Sequence, residues 1–332
     1  MSIRVKAGKI RRELASTARI AEVTGKADAL RVLAGKADIQ ISVRRSNLET
    51  PAMKRRLLNK HAIMSAYFRK TFRAFRKDYK GPEALPPADP AMENAVYVCW
   101  WQGEEAAPPL VRRCVASIRR HAAGREVIFL TEDNYRDYVG FPAFIEEKIR
   151  KGQISRTHAS DLLRIELLAR YGGLWLDATT FCSGDYSYAF EGPVWSIKRP
   201  GYLHLSAACG RFANHAMAAD GEGRYAFALI RDLLYHYWEN NTMAVDYLFL
   251  DYLIVLAMQM DRRVREMFRR IPKNNPCCDD LLNCFGRPFD EGKWKEMTSE
   301  TSLFKLTWKL RFPETRNGKP TFYGKLLKGA IL

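Results

Sequence analysis

The spacing of hydrophobic and polar residues changes along the chain and predicts different structures in different segments. Within residues 54–77 the apolar positions recur at helical spacing, and they are Leu57, Met64, Phe68, Phe72 and Phe75. Lys and Arg occupy many of the positions between them, which is typical of a basic amphipathic helix. Residues 1–50 mix basic and small residues, and we expect them to be helical or loosely ordered.

Beyond residue 94 the pattern changes to short apolar strands that alternate with helices. The predicted strands cover 95–101, 126–130 and 174–177, and the predicted helices cover 108–122 and 159–171. This alternation predicts a mostly parallel sheet with right-handed crossovers, in an α/β domain from 95 to 332. The proline-rich segment 81–94 is interpreted as a linker, and residues 1–80 as a basic helical N-terminal extension.

The positive charge is concentrated in this extension. The whole chain has a formal net charge of +17, and residues 1–80 contain 21 Lys and Arg against 6 Asp and Glu. The helix over 54–77 therefore has three interpretations, namely packing against the α/β domain, binding to an anionic membrane surface, or binding to nucleic acid. The third is disfavoured, because the basic charge lies in the extension and not across the folded domain.

Cysteine usage and hydropathy indicate the compartment. The seven cysteines include no CxxC pair and no zinc-like spacing with histidine, so we expect buried reduced thiols in a cytosolic protein. The first residues are charged throughout and lack the apolar core of a signal peptide. The most apolar stretch, 245–258, is interrupted by Asp246 and Asp251. It is also shorter than the ~20 residues that a membrane span needs.

Three charged side chains are expected to meet at one edge of the sheet. Asp161 and Arg164 share one face of a predicted helix, and a Gly-Gly pair connects that helix to the strand that ends at Asp177. Ligands of parallel sheets bind at the carboxyl ends of the strands, where Trp100 and Trp101 are also expected. A surface ion pair and an ordinary turn residue are the alternative explanations for the two acids.

The segment SDLLRIELLARYGGLWLDATTF, residues 160–181, resembles the signature of the bacterial capsular polysaccharide synthesis glycosyltransferases. These enzymes are related to the DXD-containing sugar transferases, which include the large clostridial toxins and the yeast α-mannosyltransferases. VYVCWWQGEEAAPPLVRRCVASIRRH is similar to the first strand and helix of the family, and ISRTHASDLLR to its donor-site helix. IPKNNPCC, TSLFKLTWKL and TFYGKLL are similar to its C-terminal signatures, so the resemblance covers about residues 95–328.

The resemblance implies a GT-A fold, which is a nucleotide-sugar-binding α/β sheet, and a retaining hexosyltransferase activity. It implies that Asp161 and Arg164 hold the donor sugar and its diphosphate, and that Asp177 is the first acid of the DXD motif. Trp100 or Trp101 would stack on the nucleobase, an interaction typically worth about 1–3 kcal/mol. The expected donor is a nucleotide sugar such as a UDP-hexose.

The resemblance also implies a divalent cation, Mn²⁺ or Mg²⁺, bound by Asp177. Such a cation offsets the negative charge of a departing diphosphate. In the triplet Asp177-Ala178-Thr179 the second acid of a DXD motif is missing, so we expect weak metal binding in which Thr179 ligates weakly or through water. Asp185 is the alternative second acid, although its surroundings are typical of a turn.

Two further groups of residues are candidates for the site. Asp246 and Asp251 lie in an apolar helix-like run, where charged side chains rarely occur without a partner. They are interpreted either as interface or capping residues, or as residues that contact the acceptor and stabilise oxocarbenium-like charge. Lys305 or Lys309 is expected to provide charge near the diphosphate, unless both are ordinary solvated lysines.

Together these observations predict transfer of a hexose to a growing bacterial surface polysaccharide of the capsular, O-antigen or exopolysaccharide type. The acceptor would be a lipid-linked oligosaccharide, and residues 54–77 would hold the protein on the inner face of the cytoplasmic membrane. A catalytically inactive scaffold of a polysaccharide assembly complex is the alternative that the degenerate DXD triplet allows. No nucleic-acid partner is expected.

Overall fold

A computed structural model describes residues 3–44, 49–87, 89–199 and 204–331 of the chain. Its strands are β1 (Val96–Cys99), β2 (Val127–Leu130), β3 (Gly173–Leu176), β4 (Thr180–Cys182), β5 (Val194–Ser196), β6 (Ala216–Ala219), β7 (Leu303–Lys305), β8 (Thr315–Arg316) and β9 (Lys319–Pro320). Its first helices are α1 (Ile3–Thr24), α2 (Lys26–Arg44), α3 (Pro51–Thr71), α4 (Arg73–Asp78), α5 (Pro90–Glu93), α6 (Pro109–Arg120) and α7 (Ala143–Arg150). The later helices are α8 (Arg156–Arg170), α9 (Arg224–Asn240), α10 (Phe249–Met260), α11 (Arg262–Arg270), α12 (Asp280–Cys284), α13 (Glu291–Thr298) and α14 (Phe322–Leu327).

The central sheet has five strands in the order β2-β1-β3-β6-β5. β1 pairs in parallel with both β2 and β3, as the alternation of strands and helices predicts. β6 is antiparallel to its neighbours β3 and β5, so four strands share one direction and β6 runs opposite to them. The α/β class and the mostly parallel sheet are thus confirmed, whereas the GT-A assignment stays a prediction.

Helix α8 leads into β3 through two glycines, and any other residue at these positions would force the neighbouring backbone to move. Gly172 and Gly173 have φ angles of 80° and 82°, in the left-handed region that favours glycine. A Cβ on Gly172 would lie 2.7 Å from the carbonyl oxygen of Ala219, and one on Gly173 would lie 2.7 Å from that of Ala95. The tight turn therefore fixes where β3 begins and, four residues later, where it ends at the edge of the sheet.

A second, two-stranded sheet lies beside the end of β3. β4 and β7 pair antiparallel, and Thr180 lies opposite Lys305. The hydrophobic cluster beneath this pair includes Phe181 and Phe304 and joins helices α6, α12 and α14. This pairing joins residues more than 120 positions apart in the sequence and brings β7 next to the segment that follows β3.

The N-terminal helices pack against the α/β domain. Of the apolar residues of the predicted helix, Leu57, Met64, Phe68 and Phe72 are buried, and Phe75 is partly buried. The ring of Phe68 stacks on Tyr252 at a centroid distance of 5.5 Å, and the ring of Phe72 stacks on Tyr237 at 6.5 Å. Burying each large apolar side chain typically contributes about 1.5–3 kcal/mol. Of the three interpretations of 54–77, the structure therefore supports packing for its apolar face.

The predicted single helix over 54–77 is in fact two helices, α3 and α4, which meet at Phe72. The apolar cluster that contains Phe68 and Phe72 also contains residues of α8, α9 and α10, so residues 1–80 and the α/β domain share one core. The boundaries at 80 and 94 stay a prediction. None of the helices within the described ranges is long and apolar enough to cross a membrane.

A buried ion pair connects α3 to the segment before α10. The Lys60 Nζ lies 2.9 Å from the Asp246 carboxylate, with side-chain exposures of 0% and 3%. The same Nζ donates a hydrogen bond to the Tyr252 hydroxyl at 2.9 Å, and His61 Nδ1 also contacts this hydroxyl at 2.8 Å. The partner that the sequence required for Asp246 is therefore a lysine of the N-terminal helices.

Candidate functional site

Asp177 lies directly after β3, at the carboxyl edge of the sheet, as predicted. Its backbone N–H donates to the carbonyl oxygen of His215 at 2.8 Å, which continues the pairing beyond β3. Its Oδ1 accepts hydrogen bonds from Arg164 Nη2 and Trp175 Nε1, both at 3.0 Å. Its Oδ2 accepts from Lys305 Nζ at 2.6 Å. Both carboxylate oxygens are thus engaged by side chains.

The charges around Asp177 determine its ionisation. Burial alone would raise the pKa of its carboxyl group, but the charges of Lys305 and Arg164 outweigh burial and hold that pKa well below its usual range. The carboxylate is therefore ionised over the whole physiological pH range. This is the behaviour of a permanent anion and not of a general acid.

Arg164 joins the two acids that the sequence predicted to meet. The helix α8 begins after Ser155, whose side chain accepts a hydrogen bond from the backbone of His158. Further along α8, Arg164 Nη1 donates to Asp161 Oδ1 at 3.3 Å while its Nη2 donates to Asp177 Oδ1 at 3.0 Å. The guanidinium carbon lies 5.1 Å from the centroid of the Trp175 ring, which fixes its plane by a cation–π contact.

His158 was not identified from the sequence, although it stands in the quoted donor-site helix segment. Its Nδ1 lies 3.2 Å from Asp161 Oδ2, on the opposite side of that carboxylate from Arg164. Its ring also contacts Phe249 at the start of α10, with centroids 6.1 Å apart. The three-residue spacing to Asp161 was the available signal, because residues three apart on a helix share a face.

The pairing of β4 with β7 selects Lys305 and not Lys309 for this site. Lys305 lies opposite Thr180, and its Nζ donates to Thr179 Oγ1 at 2.9 Å as well as to Asp177. Lys309 is exposed. The start of β7 is held by Asn275, whose Oδ1 accepts from the backbone N–H groups of Ser302 and Leu303. The sequence Asn274-Asn275-Pro276 therefore supports β7, the strand that contains Lys305.

The two tryptophans after β1 differ in their surroundings. Trp101 Nε1 donates to Ser160 Oγ at 2.8 Å and its ring packs edge-on against Tyr135, so it is tied into the protein. Trp100 packs edge-on against Trp308, with centroids 5.7 Å apart, and Trp308 is 45% exposed. Trp100 Nε1 is buried and has no hydrogen-bond partner among the described atoms. Of the two residues, Trp100 is the one with an available donor.

Asp251 lies on α10 and is electrostatically coupled to the same cluster. It accepts hydrogen bonds from Ser206 Oγ at 2.6 Å and from Asn214 Nδ2 at 2.8 Å. Burial raises the pKa of Asp251 to about 6, the Ser206 hydrogen bond opposes this rise, and the charge of Asp161 adds to it. The charge of Asp251 therefore changes near neutral pH.

Tyr247 and His215 also belong to the site and were not identified from the sequence. Tyr247 is exposed, and its pKa is raised by desolvation and by the charges of Asp161 and Asp177. His215 is buried, and burial together with the charge of Lys305 lowers its pKa well below the usual value. Its Nε2 has no partner among the described atoms, so the site contains a neutral, unsatisfied imidazole.

The residues present do not fit the divalent cation that the sequence led us to expect. Asp177 and Thr179, the two expected ligands, both accept hydrogen bonds from the Lys305 ammonium group. Asp185, the alternative acid, accepts from Ser187 in a turn, as its surroundings predict. Within the described ranges, three or more His, Cys, Asp or Glu side chains do not come together anywhere as metal ligands would.

The cysteines do not contribute to this chemistry. All seven are free thiols, and five of them are buried. Burial raises the pKa of Cys99, Cys114, Cys182 and Cys278, among others, which keeps these thiols protonated and unreactive.

Comparison with known proteins identifies the family. No curated protein matches the chain. A family model described as "Capsular polysaccharide synthesis protein" matches residues 44–326. The match begins about 50 residues before the segment whose motifs carry the resemblance and includes α3, α4 and α5. Because the model covers most of the chain, the protein belongs to the capsular polysaccharide synthesis protein family.

Proposed function

We propose that the protein is a retaining glycosyltransferase that moves a hexose from a nucleotide-sugar donor to a growing surface polysaccharide. The observation that carries the proposal is the group of Asp161, Arg164, Asp177 and Lys305 at the carboxyl edge of the sheet, with Trp100 on the neighbouring strand. This arrangement combines permanent cations for a diphosphate, carboxylates for sugar or ribose hydroxyls, and an aromatic ring for a base. The family supports a role in capsular polysaccharide synthesis.

The donor would lie with its diphosphate near Arg164 and Lys305. The planar guanidinium group can bind phosphate oxygens or sugar hydroxyls through two parallel N–H groups. The ammonium group of Lys305 adds a point charge whose position is fixed by β7. Asp177 would accept hydrogen bonds from hydroxyl groups of the ribose or the sugar, since its carboxylate is always ionised.

The base would bind beside Trp100. Trp100 and the exposed Trp308 form an aromatic pair at the end of β1, and base stacking on such rings is typically worth about 1–3 kcal/mol. Trp101, whose Nε1 already binds Ser160, would instead shape the wall of the site.

The acceptor would approach from the side of Asp251 and Tyr247. Above pH 6 the Asp251 carboxylate is ionised and would stabilise positive charge that develops on the sugar. In the transfer step the bond between the anomeric carbon and the diphosphate breaks, and a new bond forms between that carbon and an acceptor hydroxyl oxygen. In a same-face mechanism the departing phosphate oxygen takes the acceptor proton, which accounts for retention without an enzyme nucleophile.

A panel of UDP- and GDP-sugars tests this function through slow donor hydrolysis. We expect release of the nucleoside diphosphate from at least one donor, and loss of release in Asp177→Asn. Asp185→Asn is the matched control, because Asp185 is an Asp in an exposed turn away from the cluster. A full panel without hydrolysis or donor binding would contradict the proposal and favour the inactive scaffold.

We also propose that the N-terminal helices bind an anionic membrane surface, where a lipid-linked acceptor is located. Since Phe68 and Phe72 are buried, the contact would be made by other residues. Leu30, Ala34, Ala37 and Ile41 follow one face of α2 at helical spacing, and all of them are exposed. The segment that contains them is basic, since residues 1–80 have 21 Lys and Arg against 6 Asp and Glu.

Exposed apolar residues next to basic ones suit an anionic lipid surface better than water. Among the described residues, six of the nine large hydrophobic side chains that are exposed belong to α1, α2 and α3. Each Lys or Arg near an anionic bilayer contributes roughly 1 kcal/mol of attraction, and exposed Leu or Ile side chains add apolar contact. Binding of this kind is peripheral and weakens as salt is added.

A further inference from the structure

The ammonium group of Lys305 occupies the position that the sequence assigns to a metal ion. We propose that Lys305 replaces the divalent cation of the DXD-type transferases, so that this enzyme neutralises its departing diphosphate without a metal. The inference rests on the proposed function and adds to it the identity of the cation. It follows from the contacts of Asp177 and Thr179, the expected metal ligands, which both accept hydrogen bonds from Lys305.

The geometry places one cation between the two expected ligands. Lys305 Nζ lies 2.6 Å from Asp177 Oδ2 and 2.9 Å from Thr179 Oγ1, the first and third positions of the degenerate triplet. In a DXD motif the third position is an acid, and two acids together attract a divalent ion. Here one acid and one hydroxyl together bind a single positive charge, which is what a lysine provides.

The remaining oxygen of the carboxylate is also engaged. Asp177 Oδ1 accepts from Arg164 and Trp175, and Oδ2 accepts from Lys305, so a metal ion bound through both oxygens would have to displace hydrogen bonds. The charges of the neighbouring side chains also disfavour a metal ion at Asp177. Arg164 and Lys305 already pair with Asp161 and Asp177, so a divalent cation that enters at Asp177 would lie beside two existing cations. Coulomb repulsion at these distances opposes that entry.

The position of Lys305 is determined by the fold and not by a flexible loop. Its backbone N–H donates to the carbonyl oxygen of Cys278 at 2.7 Å, and the next residue, Leu306, donates to the carbonyl oxygen of Thr179 at 2.9 Å. Asn275 binds the first backbone groups of the strand. Hydrogen bonds thus connect β7 to the backbone carbonyl groups of Thr179 and Cys278 and to the side chain of Asn275.

Lys305 retains one donor for the ligand. An ammonium group has three N–H donors, and two of them are directed at Asp177 and Thr179. The third can reach a phosphate oxygen while the other two keep the cation in place. Its side chain is partly exposed, at 28%, so a donor that enters the site can contact it.

The test measures donor hydrolysis and UDP binding by the full chain after exhaustive chelation, with and without added Mn²⁺. We expect the hydrolysis rate and the Kd for UDP, determined by titration calorimetry, to agree within about twofold in both conditions. Lys305→Met should lose at least a hundredfold in rate, and Lys305→Arg, which keeps the charge, should recover part of it. Lys319→Met, at an exposed position of β9, is the matched control and should resemble the wild type.

Two results would overturn the inference. One is a wild-type protein that loses at least tenfold in rate or in UDP affinity on chelation and regains it with Mn²⁺. The other is Lys305→Met with a rate within a few-fold of the wild type. Failure of the proposed function gives a different pattern, since no donor is then bound or hydrolysed with or without the metal. If Lys305→Met does not fold, the chelation experiment on the wild type still shows whether a divalent cation is needed.

Discussion

Removing the positive charge of Lys60 should destabilise the whole molecule, and not only the N-terminal helices. The Lys60–Asp246 pair is almost completely buried, with an Nζ–carboxylate distance of 2.9 Å. Burial alone would raise the pKa of Asp246, but the charges of Lys60 and Lys36 outweigh it and lower that pKa. In Lys60→Met the carboxylate keeps only the weaker interaction with Lys36 and a hydrogen bond from Leu248.

The expected magnitude follows from the cost of an unpaired buried charge. Truncating one partner of a buried ion pair typically costs about 3–5 kcal/mol, and we expect the lower end because Lys36 remains. In the double variant Lys60→Met/Asp246→Asn the buried charge is gone, so about 2 kcal/mol of the loss should be recovered. Lys293→Met is the matched control, because the Lys293–Glu296 pair is exposed and should contribute less than about 0.5 kcal/mol.

Urea unfolding followed by tryptophan fluorescence distinguishes N-terminal helices that share the core of the α/β domain from helices that fold independently of it. All seven tryptophans lie between Trp100 and Trp308, so their fluorescence reports on the α/β domain alone. If the N-terminal helices share its core, Lys60→Met shifts the fluorescence transition and the circular dichroism transition together. A fluorescence midpoint equal to that of Lys293→Met would refute the reasoning and support an independent extension.

Three other changes test the site and the proposed membrane surface. Arg164→Lys should lose at least about a hundredfold in donor hydrolysis, because lysine cannot bind two partners in one plane, whereas Arg170→Lys on the exposed end of α8 should not. Asp251 has a raised pKa, so its contribution to stability is present at low pH and is lost as pH rises through 6. Between pH 5 and pH 7.5 the unfolding free energy should therefore fall by about 1.4 kcal/mol more in the wild type than in Asp251→Asn. Leu30→Ser/Ile41→Ser should reduce sedimentation with anionic liposomes at low salt, and equal sedimentation of wild type and variant would contradict the proposed surface.

The part of the site that could be predicted is encoded locally. Asp161, Arg164 and Asp177 lie within 17 consecutive residues, on a helix, a glycine turn and a strand whose geometry is set by short-range rules. The spacing of three places Asp161 and Arg164 on one face, and the strand ends at Asp177. The structure brings all three together through direct contacts between their side chains.

The rest of the site depends on contacts between distant segments. Lys305 reaches Asp177 only because β4 and β7 pair, and each of these strands has three residues, too few for a periodic signal. Nothing in the local sequence distinguishes Lys305 from Lys309. The role of Lys60 could not be predicted either, because it is one of many basic residues in this segment. It differs from the solvated ones only by its buried contact with Asp246.

Helix α10 connects the charged cluster to helix α3, which lies within the region that the family model matches from residue 44. Asp251 on this helix is coupled to the charged cluster, and the next residue, Tyr252, accepts a hydrogen bond from Lys60 and stacks on Phe68. The two residues thus face different partners, one in the site and one in the N-terminal helices. Since adjacent helix positions cannot move independently, α3 fixes the orientation of Asp251. The N-terminal helices are therefore part of the framework of the site, whichever surface their outer face contacts.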